Sequence, residues 1–162
     1  ATEAFLDELD ATPQSELVGL ATYNENGTLD HQLSGDYADI RDSVDDITNH
    51  FCGGSTGIGN GMTQGLRLVT NASFNRPFAS KVLVVLTDGN HNSGTSPETI
   101  ARRAADQNVI VFTVTFSDGA DQARMRNVAS IGGGRHFHAA RGEDLIDVFR
   151  EIAKTAANLL TE

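Results

Sequence analysis

Apolar residues recur along this chain with two alternating periods, and their order predicts a sequence of helices and strands. Phe5, Leu6 and Leu9 stand at helical spacing near the start, with Pro13 placed to end that helix. Residues 17–23 read as a strand, followed by Asn26-Gly27 and a more polar strand over 28–33. An Asn-Gly pair between strand-like pieces predicts a hairpin, because both turn positions accept positive φ, and the polarity of its second strand predicts a sheet edge. Asp36 is placed to cap a helix over 37–49 whose inward stripe is Ile40, Val44 and Ile47.

A glycine-crowded loop, 52–62, leads into a helix carrying Met62, Leu66 and Val69. After its lysine, Lys81–Thr87 is apolar up to the threonine, the pattern of a strand buried on both faces. Ser96 and Pro97 open the next helix as cap and first-turn proline, with Ile100 and Ala104 facing inward. The strand Val109–Phe116, a short helix over 121–130, the loop Gly132-Gly133-Gly134 and a strand over 135–139 follow. A helix from Glu143, with Leu145, Val148 or Phe149, Ile152 and Ala156 inward, closes the chain. Strands and helices alternate from residue 81 onward, so right-handed crossovers predict a parallel sheet with helices on both faces. The expected class is α/β: a Rossmann-like, doubly wound, mostly parallel sheet with one antiparallel edge strand, forming one domain over residues 1–162. Such sheets bind ligands beyond the carboxyl ends of their strands.

Charge narrows the partners. Twenty-two acidic residues against 12 basic ones give a formal charge of -10, which opposes nucleic acid and anionic membranes and favours cations and basic partners. No apolar run approaches the roughly twenty residues of a membrane span. Cys52 is the one cysteine, so no internal disulfide forms. Asn26-Gly27-Thr28 and Asn71-Ala72-Ser73 fit the glycosylation rule, which matters only for a protein exported in a host that glycosylates.

Two places carry candidate chemistry. Asp88 follows the buried strand directly, where a sheet delivers side chains to a surface crevice, and Gly89 lets the chain turn close behind it; an Asp that merely opens an Asx-turn is the alternative. The loop over 53–61 has neither a Walker lysine nor a third glycine at Gln64, so nucleotide binding is not expected. It does hold Ser55-Thr56 among glycines just ahead of a helix, as a fixed hydroxyl or as a helix cap. His91 reads as an exposed loop histidine, His136 and His138 share a strand face without further zinc ligands nearby, and a Ser-His-Asp hydrolase is not expected.

These pieces together resemble the von Willebrand factor type A domain, an adhesion and protein-interaction module. The likeness runs over Phe5-Leu-Asp-Glu-Leu-Asp10, Val18-Gly-Leu-Ala-Thr-Tyr23, the threonine loop Gly53-Gly-Ser-Thr-Gly-Ile-Gly59, Val82-Leu-Val-Val-Leu-Thr-Asp-Gly89, Val111-Phe-Thr-Val-Thr-Phe116 and Gly132-Gly-Gly-Arg-His-Phe137. It implies a metal-ion-dependent adhesion site in which Thr56 and Asp88 supply oxygens to Mg²⁺ or Mn²⁺, and a protein partner that completes the site with an acidic side chain. The departure is equally specific. The first, central strand and its Asp-x-Ser-x-Ser motif are absent, so the domain is expected to be N-terminally incomplete, its metal site degenerate and its Mg²⁺ affinity millimolar or weaker. The chain is either a piece of an ordinary domain, or a form whose remaining strands close the gap or recruit a strand from another chain, as a homodimer or by strand exchange. The leading expectation is a non-catalytic interaction or adhesion module. An assembly domain pairing through sheet edges without metal comes second, and a metal-assisted hydrolase third. A secreted or cell-surface location follows from the resemblance alone.

Overall fold

Strand β4 (Val109–Phe116) organises the core because its successive side chains bury in opposite directions. Val109 and Val111 pack with residues of α3 (Ile58–Thr70), α4 (Pro97–Asp106) and α5 (Gln122–Ile131), while Phe112 and Val114 pack with Leu145, Phe149 and Ile152 of α6 (Gly142–Leu159). Each side chain of this size, fully buried, contributes on the order of 2 kcal/mol. In this computed structural model the described residues are 2–11, 16–50, 53–71, 73, 76 and 78–159, with main chain alone for 48–50 and 157–159.

Strands β3 (Lys81–Thr87), β4 and β5 (Gly133–Ala139) form a parallel sheet in the order β3-β4-β5, with Lys81 opposite Val109 and Thr87 opposite Thr115. Helix α1 (Thr2–Asp10) joins α6 on the second face, where the Phe5 and Phe149 rings meet edge to face at 5.7 Å. Helix α2 (Tyr37–His50) packs beside α1 through Ile40, and Arg41 pairs with Glu3 and Asp7. The architecture is the expected Rossmann-like α/β arrangement, with one addition: β1 (Val18–Tyr23) and β2 (Gly27–Ser34) form a separate antiparallel pair.

Between β1 and β3 lies a cleft of about 790 Å³, lined by both strands. The remaining strands therefore do not close the gap expected from the sequence. This explains a second difference: β3, read as buried on both faces, is only half-buried at Val82, Leu83 and Val84, and Leu86 is exposed, because its outer edge borders the cleft instead of a neighbouring strand.

Local signals fared unevenly. Asp36 caps α2, its Oδ1 accepting from Ala38 N–H at 3.1 Å. The hairpin forms, but Tyr23 pairs with Gly27 across a three-residue loop, 24–26, and neither Asn26 nor Gly27 takes positive φ. Ser96 precedes α4 without capping it; its hydroxyl donates to Glu98 instead. Gly133 and Gly134 belong to β5 and not to a loop. A Cβ at Gly134 would lie 2.2 Å from the Val111 carbonyl oxygen, so this strand can approach β4 only without a side chain there. Pro13 and Cys52 lie outside the described residues.

Candidate functional site

Strand β3 ends at the buried Thr87, whose Oγ1 accepts the Gly89 N–H at 3.3 Å. That bond closes the turn behind Asp88 and leaves the Asp88 carboxylate exposed at the rim. Across from it, a Cβ added to Gly89 would sit 3.4 Å from Thr56 Oγ1, so the threonine hydroxyl lies against this turn. The two residues singled out in the sequence, Thr56 and Asp88, are therefore brought to one place.

Thr56 is held by a reciprocal pair of bonds. Its N–H donates to Asn92 Oδ1 at 2.8 Å, and Asn92 N–H donates to the Thr56 carbonyl at 3.1 Å. Gly57 N–H donates to the Asn24 carbonyl at 2.6 Å, tying the same loop to the hairpin. Asn60 joins three segments, donating to the Glu25 carbonyl at 2.7 Å and accepting from Thr95 N–H at 3.1 Å. Helix α3 begins after Gly57 with no side-chain cap, so neither Ser55 nor Thr56 is consumed in that way. Asn60 and Asn92 were not singled out in the sequence, where an asparagine among glycines signals only a turn.

The surrounding groups set the electrostatics. The Tyr23 phenol donates to the Leu86 carbonyl at 2.7 Å; burial pushes its pKa up to about 12, the Asp88 charge adds to the rise, and a hydrogen bond with the Thr87 side chain opposes it. Glu98 receives Arg124 Nε at 2.8 Å and the Ser96 hydroxyl. Burial alone would raise its carboxyl, but these partners outweigh it and bring the pKa down to about 2. His91 is half-buried rather than exposed, with Nδ1 shielded and without a partner. Burial first, then the Arg124 charge, lowers its pKa, against the pull of Glu98.

His136 and His138 do share a face of β5, where they meet threonines of β4: Thr113 Oγ1 lies 2.9 Å from His136 Nδ1 and Thr115 Oγ1 lies 3.0 Å from His138 Nδ1. Residues 53–57 also spell Gly-x-Ser-x-Gly, which the reading of the sequence passed over. A nucleophile elbow needs a strand leading into it, whereas this stretch follows α2 and has no regular structure.

Thr56 and Asp88 offer hard oxygen donors suited to a cation such as Mg²⁺ or Mn²⁺. Among the described residues no group of three or more His, Cys, Asp and Glu side chains could hold a metal ion. The donors thus fit part of an octahedral shell, and water or a partner would have to supply the rest.

The fold recurs in solved structures. Proximal thread matrix protein 1 from the mussel byssus, described with a zinc-occupied MIDAS motif, superposes with a TM-score of 0.77 at 24% identity over 96% of this chain and 39% of that one. A von Willebrand factor type A protein from Catenulispora acidiphila gives 0.77 at 22% identity, over 97% of this chain and 37% of that one. The protein BatB from Bacteroides thetaiotaomicron gives 0.76 at 14%, over 96% and 86%. The chain thus spans about two fifths of the first two proteins. No curated protein matches it. The sequence matches the family model of the von Willebrand factor type A domain over residues 1–151. The chain belongs to the von Willebrand factor type A domain family.

Proposed function

We propose that the rim around Thr56 and Asp88 is a docking surface for a partner protein and that the domain is a non-catalytic interaction module. The observation that carries this reading is the fixed juxtaposition of the Thr56 hydroxyl with the turn that exposes Asp88, held by the reciprocal Thr56–Asn92 bonds. Family membership supports it, since such domains commonly mediate protein interaction and adhesion. The zinc-occupied motif of the mussel protein supports a divalent cation at the corresponding place in relatives. When bound, a hard cation supplies a positive centre that a partner's carboxylate can approach.

This chain's own part is to present two oxygens and to hold them still. Asn92 fixes the Thr56 main chain, and Thr87 shapes the turn that carries Asp88. With so few protein donors, a cation is held weakly and binding of metal and partner carboxylate is mutually reinforcing.

Amide spectra recorded during titration with Mn²⁺ test the reading. Paramagnetic broadening centred on Thr56, Asp88 and Gly89 at millimolar Mn²⁺, increased by acetate and lost in Asp88→Ala, is expected. Broadening spread evenly over the acidic surface would refute a site at the rim. A second reading, assembly through strand edges without metal, draws on the cleft between β1 and β3.

A further inference from the structure

Two histidines of β5 and two threonines of β4 form a hydrogen-bonded relay with both ends on α5. The hydroxyl of the buried Thr113 donates to the Met125 carbonyl at 2.9 Å, and a hydroxyl has a single hydrogen to give. Toward His136 Nδ1, also at 2.9 Å, Thr113 can therefore only accept, so that nitrogen carries the proton and His136 Nε2 holds a lone pair. Thr115 Oγ1, buried as well, stands 3.4 Å from His136 Nε2 and 3.0 Å from His138 Nδ1. Donating to the first and accepting from the second, it puts His138 in the same tautomer. His138 Nε2 is then left to accept from Gln122 Nε2 at 3.3 Å. Every member is paired in this arrangement, and both imidazoles are neutral.

Gln122 and Met125 lie three residues apart in the first turn of α5, so the relay fastens that turn to the sheet. A proton added to either ring disturbs it. On His136 the proton enters at Nε2, and the Thr115 hydroxyl must turn to the Phe137 carbonyl, 3.5 Å away. On His138 it enters at Nε2, against an amide that is already donating. The surroundings oppose the charge too: burial first, then Arg126 of α5 and His138, lowers the His136 pKa, against the pull of a bond to the Thr113 main chain. Strand β4 faces the rings with neutral threonines, and Arg135 pairs with Glu151 of α6 on the opposite face, beside Phe137. A second tether, Arg124 to Glu98 of α4 at 2.8 Å, is untouched by mild acid, because the Glu98 pKa is about 2.

We propose that His136 and His138 are a proton-operated clasp on the first turn of α5, closed while both rings are neutral and opened when mild acid protonates them. Opening loosens the segment 117–121 that precedes α5. Asn90 Nδ2 donates to the Gly119 carbonyl there at 3.2 Å, so the turn after β3 responds as well. An unfolded histidine takes its proton at about pH 6.5 and folded His136 at a lower pH, so the clasp contributes fully above about 6.5 and its contribution is lost as pH falls below that value.

Long-range ¹H–¹⁵N spectra of the histidine rings and hydrogen exchange, recorded on the full chain in EDTA between pH 8 and pH 5, test the clasp without any cation at the rim. At pH 8 both rings should carry their proton on Nδ1, the tautomer that free histidine disfavours. At pH 5 the amides of Arg124, Met125 and Arg126 should exchange at least tenfold faster, after correction for the intrinsic rate, while those of α4 change little. The Asn90 and Gly119 amide signals should shift along the same titration curve. In the double variant His136→Asn with His138→Asn, whose amides can donate where Nδ1 stands but take no proton, the acceleration should fall below threefold. His91 remains in that variant, so its own titration is accounted for. An Nε2–H tautomer at His136 would break the relay and overturn the proposal. Equal acceleration in α4 and α5 would overturn it as general loosening in acid, and an acceleration undiminished in the double variant would assign the effect to His91. Should the double variant not fold, the tautomers and the contrast between α4 and α5 still decide.

Discussion

The hydroxyl of Tyr23 donates to the carbonyl oxygen of Leu86 at 2.7 Å, and through this bond the end of β1 is tied to β3 across the cleft that separates the two sheets. The ring that carries it is wedged over α3: a Cβ at Gly61 would lie 2.3 Å from the Tyr23 ring. One side chain therefore links the antiparallel pair, a helix and the parallel sheet, immediately beside the turn that presents Asp88.

Replacing that hydroxyl isolates the hydrogen bond, since Tyr23→Phe keeps the ring. The expected loss of stability is about 1 kcal/mol, the net worth of a typical intramolecular hydrogen bond. Urea denaturation measures it. An unchanged midpoint would mean that water satisfies the Leu86 carbonyl equally well and that the bond adds nothing to stability.

Alkaline titration probes the same bond from the other side. Tyr23 and Tyr37 are the chain's two tyrosines, and burial pushes both up to about 12, with the Glu16 charge adding to the rise at Tyr37. A folded pKa above the unfolded value of about 10 stabilises the protein fully below pH 10, and that stability is lost as pH rises toward 12. Absorbance at 295 nm should show no tyrosinate step near pH 10 in the folded protein, and thermal stability should decline over that window. In Tyr23→Phe the decline should be shallower. A normal step near pH 10 in the parent would contradict the burial of both phenols.

The local parts of the rim were legible in the sequence: an apolar run ending in Asp88-Gly89 marks the end of a sheet strand, and the glycines around Thr56 mark a tight loop before a helix. The pairing of the two residues came only with the family resemblance, whereas the fold class could be read from such signals. Whether β1 and β3 approach each other could not, because strand pairing is a long-range choice that leaves no mark in either strand. The hairpin loop escaped for a related reason: opposing Tyr23 to Gly27 decides the register, and it moves the turn off Asn26-Gly27. Asn60 and Asn92 carry their roles through partners 35 and 36 residues away, which no spacing rule reveals.

Acid should act through Glu98. Its carboxyl is drawn down to about 2 by Ser96 and Arg124 despite burial, so the contribution to stability is complete above an unfolded value near 4.3 and is lost as pH falls from there toward 2. With the Glu98 side chain 18% exposed, the loss is on the order of 2 kcal/mol. Glu98→Gln should be less stable than the parent at pH 7 and should lose less on acidification. Parallel stability curves for the two proteins between pH 5 and pH 2, recorded by thermal denaturation, would assign the acid sensitivity elsewhere.

Asn60 is the strongest single test of how the rim is built. Its Nδ2 donates to the Glu25 carbonyl at 2.7 Å and its Oδ1 accepts from Thr95 N–H at 3.1 Å, so the hairpin loop, α3 and the loop after β3 meet on one amide. Asn60→Ala leaves both main-chain groups without that partner and should cost about 1 to 2 kcal/mol. Asn60→Asp keeps an acceptor for Thr95 but turns a carboxylate oxygen against the Glu25 carbonyl, so it should cost at least as much as Asn60→Ala. The Gly57 bond to Asn24 ties the same loop to the hairpin, so loosening Asn60 should also blur the position of Thr56. Urea denaturation reads the first effect, and weaker Mn²⁺ broadening at Thr56, with Asp88 little changed, reads the second. If Asn60→Ala loses stability while broadening at Thr56 stays as in the parent, the bonds to Asn92 alone hold the threonine, and Asn60 supports the fold without shaping the site.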